Sequence, residues 1–321
     1  MWKKCVIISV FRRKILILSV MLAAVTGVRG QYDASFSHYW GMEPAYNPAS
    51  VGKQDKVNAV LAYNMSLVGF ENNPRTMYLA ADMPLFALGT YHGVGVQLMN
   101  DDIGVFSHKK FSVMYALKHK LLGGMLSVGI QPSMLSESLN GSKLDLAESG
   151  DEAFSTSDVN GSAFDLSVGV YYKHKNWYAG ASVQHVTGPT VEIGEKNELK
   201  VAQTYYLTAG GNIRLRNPFL TIQPSLMGRY DGVGYRADVT ARLTYNYENR
   251  LLYAAVGYSP TISTTVYIGG RFHGIMLGYS YEIYTSAISI ANGSHELYVG
   301  YQTDINLFKK GRNRHQSVRL L

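Results

Sequence analysis

Few residues in this 321-residue chain combine the types and spacing that chemistry requires. Asp101, Asp102 and His108 fall within one short stretch, an arrangement of acid and imidazole that could serve a hydrolase at the mouth of a barrel. A solvated turn accounts for them more simply. The nine histidines are scattered and show no metal-ligand spacing. There is no Gly-x-Ser-x-Gly elbow, no His-Glu-x-x-His and no phosphate-binding glycine loop. The sequence therefore points to no catalytic residue, no cofactor and no metal. Cys5 is the single cysteine, which excludes a disulfide framework and cysteine-based zinc or iron–sulfur sites. Asn-Gly-Ser occurs at Asn140, Asn160 and Asn292. It matches a glycosylation acceptor, but Asn-Gly is also strong turn chemistry, and turns are the expectation.

A second group of charged residues is interesting for its company. Arg236, Asp238, Arg242 and Glu248 alternate with apolar residues, and Arg214, Glu296 and Asp304 sit in similar runs. On strands of a barrel such residues line the lumen, where they form ion pairs with one another or select solutes.

The elements that must position them are strands. Between Tyr235 and Glu248, Tyr235, Ala237, Val239, Ala241, Leu243, Tyr245 and Tyr247 share one face and polar residues share the other. A helix would scatter both sets; a strand separates them. Leu297, Val299, Tyr301, Thr303 and Ile305 repeat the pattern against Glu296, Tyr298, Gln302 and Asp304. Segments of this length exceed ordinary globular strands and match tilted membrane strands. Trp177, Tyr178, Tyr205, Tyr253 and Tyr284 stand near segment ends, as interfacial girdles require. The expected fold is all-β, a transmembrane antiparallel barrel of about 14 strands covering residues 57–306.

Residues 1–30 read as a signal peptide, with Lys3, Lys4, Arg12, Arg13 and Lys14 before an apolar run and Val28-Arg29-Gly30 at the cleavage site. Those residues carry six cations and no acid, so a net charge of +7 becomes +1 without them. Nucleic-acid binding thereby loses its main support. Residues 31–56 show little alternation and form an N-terminal periplasmic or lumen-associated segment; residues 307–321 form a basic periplasmic tail. The longest connections, 138–160, 188–201 and 285–293, all join odd strands to even ones. Bacterial barrels put long loops outside, so this parity places both termini in the periplasm and the protein in the outer membrane, among its lipids.

The segment Ala45-Tyr46-Asn47-Pro48-Ala49-Ser50-Val51-Gly52 resembles the Asn-Pro-Ala-x-x-Gly signature of the PorP/SprF family of type IX secretion membrane proteins from Bacteroidetes. Gly93, Gly95, Asp101 to Gly104, Tyr115, Leu126 to Ile130 and the closing His295 to Tyr301 agree in order. Asn64-Met65-Ser66-Leu67 departs from the arginine, glutamine and tryptophan common in the family's first strand. The resemblance implies a barrel similar to long-chain fatty-acid transporters and a non-enzymatic role in type IX secretion, gliding motility or the surface anchoring of cargo. The implied partners are the translocon, periplasmic ring or motor-linked proteins, and cargo with C-terminal sorting domains. Asn47, Pro48, Ala49 and Gly52, with Trp40 and Tyr46, are then the candidate partner-binding or signature residues, because prolines and aromatics make a stiff segment at low entropic cost. The same segment could instead only strap the lumen, and a channel for small or apolar solutes is the alternative function.

Overall fold

The computed structural model describes residues 32–140, 158–194, 197–248, 250–286 and 292–304. The expected signal peptide, most of the first long connection and the expected basic tail lie outside these residues. Among the described residues seventeen strands follow one another: β1 (Lys56–Met65), β2 (Arg75–Ala87), β3 (Thr90–Ile103), β4 (Phe106–Leu121), β5 (Gly124–Leu139), β6 (Val159–Lys173), β7 (Trp177–Gln184), β8 (Thr190–Ile193), β9 (Asn197–Lys200), β10 (Thr204–Gly211), β11 (Ile213–Arg214), β12 (Leu220–Tyr230), β13 (Tyr235–Tyr247), β14 (Arg250–Ser259), β15 (Ser263–Phe272), β16 (Ile275–Tyr284) and β17 (Ser294–Asp304). Fifteen of them form one antiparallel sheet that closes through β1 and β17, with Val60 opposite Gly300. Strands β10 and β11 both pair with β12 and make one interrupted stave, so the wall has fourteen staves. Closure leaves the sheet no edge through which backbone groups would face lipid unpaired.

The barrel is apolar outside and polar inside. Phe111, Met134 and Phe164 lie in register across β4, β5 and β6 and are about half exposed. Inward positions carry Gln97, Ser112, Gln131, Ser133, Asp165 and Ser167, all buried. The alternation over 235–248 holds, with Tyr235, Val239, Leu243, Tyr245 and Tyr247 facing out and Thr240 and Thr244 buried within.

Three local expectations are corrected. Of the five proposed girdle aromatics, only Trp177 and Tyr205 face outward and are about half exposed. Tyr178, Tyr253 and Tyr284 occupy the inward parity of β7, β14 and β16; Tyr253 is buried beside His38, and Tyr284 bonds Ser294. A position near a strand end does not choose the face; the two-residue period does. Asn160 belongs to β6 and not to a turn. Asp101 and His108 lie within β3 and β4, joined by a connection of only Gly104 and Val105. Asp101 accepts a bond from Thr76, and His108 pairs with Glu137.

The connection from β7 to β10 holds a hairpin, β8–β9, that folds inward. Val191, Ile193 and Val201 bury themselves against Leu135 and Leu139 on the inner face of β5. It covers the end of the lumen that bears the long connections.

Candidate functional site

Residues 32–55 thread the lumen from one end to the other. They start beside the long connections, where Asp33 contacts His185 and Tyr206. They finish at the opposite end, where Gly52 meets Asp82 and β1 begins. Strand β17 also finishes at that second end, since Lys56 pairs with Asp304. The first and last described residues therefore lie at opposite ends of the barrel, although β1 begins and β17 finishes on the same side.

The local conformation of this segment follows from its sequence. Pro44 opens the helical turn Glu43–Tyr46, where its missing N–H costs no bond. Asn47 is extended and caps the next turn, Pro48–Ser50, by accepting a bond from the Ala49 N–H at 2.9 Å. Gly52 takes φ +60°, a conformation that suits glycine, and a Cβ there would overlap the Met83 carbonyl.

The wall is shaped to receive these turns. At Gly93, Gly129 and Gly169, all inward positions, a Cβ would overlap Val51, Ala49 and Asn47 respectively. The Asn47 amide donates to the carbonyl of Val170 at 2.9 Å and to that of Ala181 at 3.4 Å. Ser182 donates to the Tyr46 carbonyl at 2.7 Å, and Gln184 to that of Ala45 at 2.6 Å. The Gly52 N–H donates to Asp82 at 2.7 Å, while Lys118 reaches the Gly52 carbonyl. Lys53 pairs with Glu43 at 2.6 Å.

Farther along the lumen, an aromatic cluster grips residues 36–42. His38 stacks on Tyr298 at 5.3 Å, bonds Glu296 through Nδ1 at 2.7 Å and meets the Tyr253 hydroxyl at 3.0 Å. Trp40 packs on Tyr267, with the Arg242 guanidinium 5.0 Å from its ring. Tyr39 bonds Ser225 and Thr240. Tyr78, Tyr206 and Tyr298 are buried in the same cluster. Tyrosines thus line the lumen as well as the outer surface of the barrel.

At the long-connection end His185 lies between Asp165 and Asp33, at 2.9 and 3.0 Å. Arg229 donates to the Asp33 carbonyl, and Tyr32 bonds Glu137. Burial works to raise the Asp33 carboxyl, but His185, Lys110 and Arg229 outweigh it and hold it well below the usual range. Burial also works against charge on His185, and the Asp33 and Asp165 carboxylates outweigh it and raise the imidazole above its ordinary value.

The structure places Asn47, Pro48, Ala49, Tyr46 and Gly52 inside the barrel, buried, and Trp40 half-buried among lumen residues. What they touch is the wall. Arg236, Asp238, Arg242 and Glu296 also face inward; Arg236 bonds both Asp238 and Glu282 at 2.9 Å. Arg214, Glu248 and Asp304 are exposed at the end where β1 begins. Sequence reasoning missed His38, Asp33, Asp82, His185 and the clearing glycines. Glycines at inward parity on three strands, Gly93, Gly129 and Gly169, were the available signal.

A cavity between Asp33, Tyr46, Gln97, Lys110 and Tyr206 has a volume of about 20 Å³, room for about one water. The plug occupies the lumen beside this cavity.

Comparison with known proteins agrees with this architecture. The profile described as "Type IX secretion system membrane protein PorP/SprF" matches residues 28–301. Among solved structures, the chain is similar to the CymD monoaromatic hydrocarbon channel, at 9% identity and a TM-score of 0.51, covering 87% of this chain and 95% of that one. A Pseudomonas aeruginosa FadL homologue aligns at 10% identity with a TM-score of 0.47, over 80% of this chain and 92% of that one. At such identity the likeness to CymD is one of fold. No curated protein matches the sequence.

Proposed function

Because the chain belongs to the PorP/SprF family of type IX secretion system membrane proteins, we propose that it is a plugged, non-enzymatic outer-membrane component that supports the secretion or surface anchoring of cargo bearing C-terminal sorting domains. The occupied lumen carries this reading. Residues 32–55 fill it with a segment that the wall receives at Gly93, Gly129 and Gly169. A barrel that passes solutes needs a water-filled or ligand-sized interior, and the space beside Tyr46 admits about one water. On this reading the signature residues keep the barrel closed, and contacts with cargo and machinery fall to its rims. Conversion of Asn47 and Pro48 to alanine tests the assignment. Surface display of a type IX cargo should be retained as long as the barrel assembles, while the closed lumen becomes leaky in planar bilayers. Unchanged cargo and a wild-type barrel that conducts steadily would favour the channel instead.

A further inference from the structure

Two neighbouring hairpins end in an unusual residue. The β2–β3 turn is Leu88-Gly89, with φ of 50° and 75°, and the β4–β5 turn is Leu122-Gly123, with φ of 47° and 78°. Ala87 pairs with Thr90 and Leu121 with Gly124, so both are two-residue turns with left-handed central positions. Asparagine and glycine suit that geometry; a leucine is strained there. Leu88 is 97% exposed and Leu122 87%. Each turn thus carries backbone strain and presents a whole apolar side chain to solvent. The two lie side by side, because β3 pairs with β4 and places Tyr91 opposite Lys118. The Phe86–Tyr91 ring pair, at 5.0 Å, is the last ring pair before the first turn and shares the inward parity of Gly93, so the leucines stand past it at the tip of the rim.

Charge around this rim is uneven. Among the described residues its exposed charges are Lys120, Lys175, Arg214, Arg216 and Arg250 against Asp55, Glu248 and Asp304. At the opposite rim the balance reverses, with Glu71, Asp102, Asp158, Glu192 and Glu198 outnumbering Arg75, Lys109 and Lys200. Strand β17 ends with Asp304 at this same rim.

We propose that this rim is a docking face for a protein whose acidic surface surrounds an apolar pocket, with Leu88 and Leu122 as the anchors and the cations as the steering field. The proposal deepens the function above and rests on it for the existence of a partner; the chemistry of that partner comes from the leucines and the charge.

The test uses the tagged full-length protein extracted from native outer membranes. Leu88→Asn with Leu122→Asn suits the left-handed turns, so its unboiled barrel should survive heating on a gel at least as well as the parent. A protein captured by the parent chain is purified and titrated against it in detergent. The double asparagine variant should bind about tenfold or more weakly. Lys120→Gln with Lys175→Gln should also weaken binding, and the parent's affinity should fall as salt rises. Affinity that neither pair alters overturns the proposal, even where sorting-domain cargo is retained and the proposed function stands. Capture of no protein by the parent overturns both. A lipid-anchoring role would give a different result: Leu88→Trp fluorescence quenched by brominated phosphatidylethanolamine vesicles, with capture unaffected by the asparagine pair. That outcome too overturns it.

Discussion

Replacing Asn47 by alanine should loosen the plug without breaking the barrel. The side chain makes two good hydrogen bonds, with the Ala49 N–H and the Val170 carbonyl at 2.9 Å, and a weaker one with Ala181 at 3.4 Å. Each good bond contributes about 0.5–1.5 kcal/mol net, and the loss of a capping asparagine costs about 1 kcal/mol. The whole loss is then about 2–3 kcal/mol, which raises the open fraction of the plug roughly 30- to 150-fold. The staves bond to one another and not to Asn47, so the cost falls on the plug. Ser50 is fully buried beside it and offers a reporter. In a chain whose sole cysteine, Cys5, is replaced by serine, Ser50→Cys should react with a small aqueous thiol reagent by that factor faster when Asn47 is alanine. The unboiled gel mobility should be unchanged. An unaltered labelling rate would refute the view that this asparagine ties the plug to the wall.

Further outcomes follow from the same contacts. Gly129→Val and Gly169→Val place side chains in space held by Ala49 and Asn47; each should either lower barrel yield or expel the plug, read as new conductance in planar bilayers. Arg236→Ala leaves Asp238 and Glu282 facing each other in the lumen, and a cost of about 3–5 kcal/mol should lower the temperature at which the unboiled band converts. The raised His185 contributes stability that is complete below about pH 6.5 and fades as pH climbs through its folded value. The depressed Asp33 contributes above about pH 4 and fades as pH falls through its own folded value. The long-connection end of the plug should thus be tightest between those limits, and His185→Gln should flatten the alkaline side of a heat-conversion profile.

Much of the wall was legible because its signal is long. Ten or more residues of strict alternation, as in Tyr235–Tyr247, determine both strand and face, and the paired segments fall within a few residues of those expected. The irregularity of residues 31–56, with Pro44 and Pro48, marked a segment that is not a membrane strand. Its path was harder to read. A lumen that holds a plug needs polar groups, tyrosines and gaps, and each looks like something else in sequence. Tyr253 resembled a girdle residue until parity turned it toward His38. Gly129 and Gly169 resembled ordinary strand glycines until Ala49 and Asn47 occupied the space of their missing side chains. The pairing of Asp33 with His185 spans 152 positions, and no local pattern announces it. The β8–β9 hairpin was hidden because four-residue strands give too few alternations to stand out.

The account turns on whether this barrel holds a protein or passes a solute. The most direct measurement is the composition and stoichiometry of the complex that the tagged full-length chain brings out of native outer membranes. The account predicts a protein with a type IX C-terminal sorting domain, retained at a fixed ratio to the barrel through washing and gel filtration. Elution of the barrel alone, from membranes in which such cargo is abundant, would contradict it.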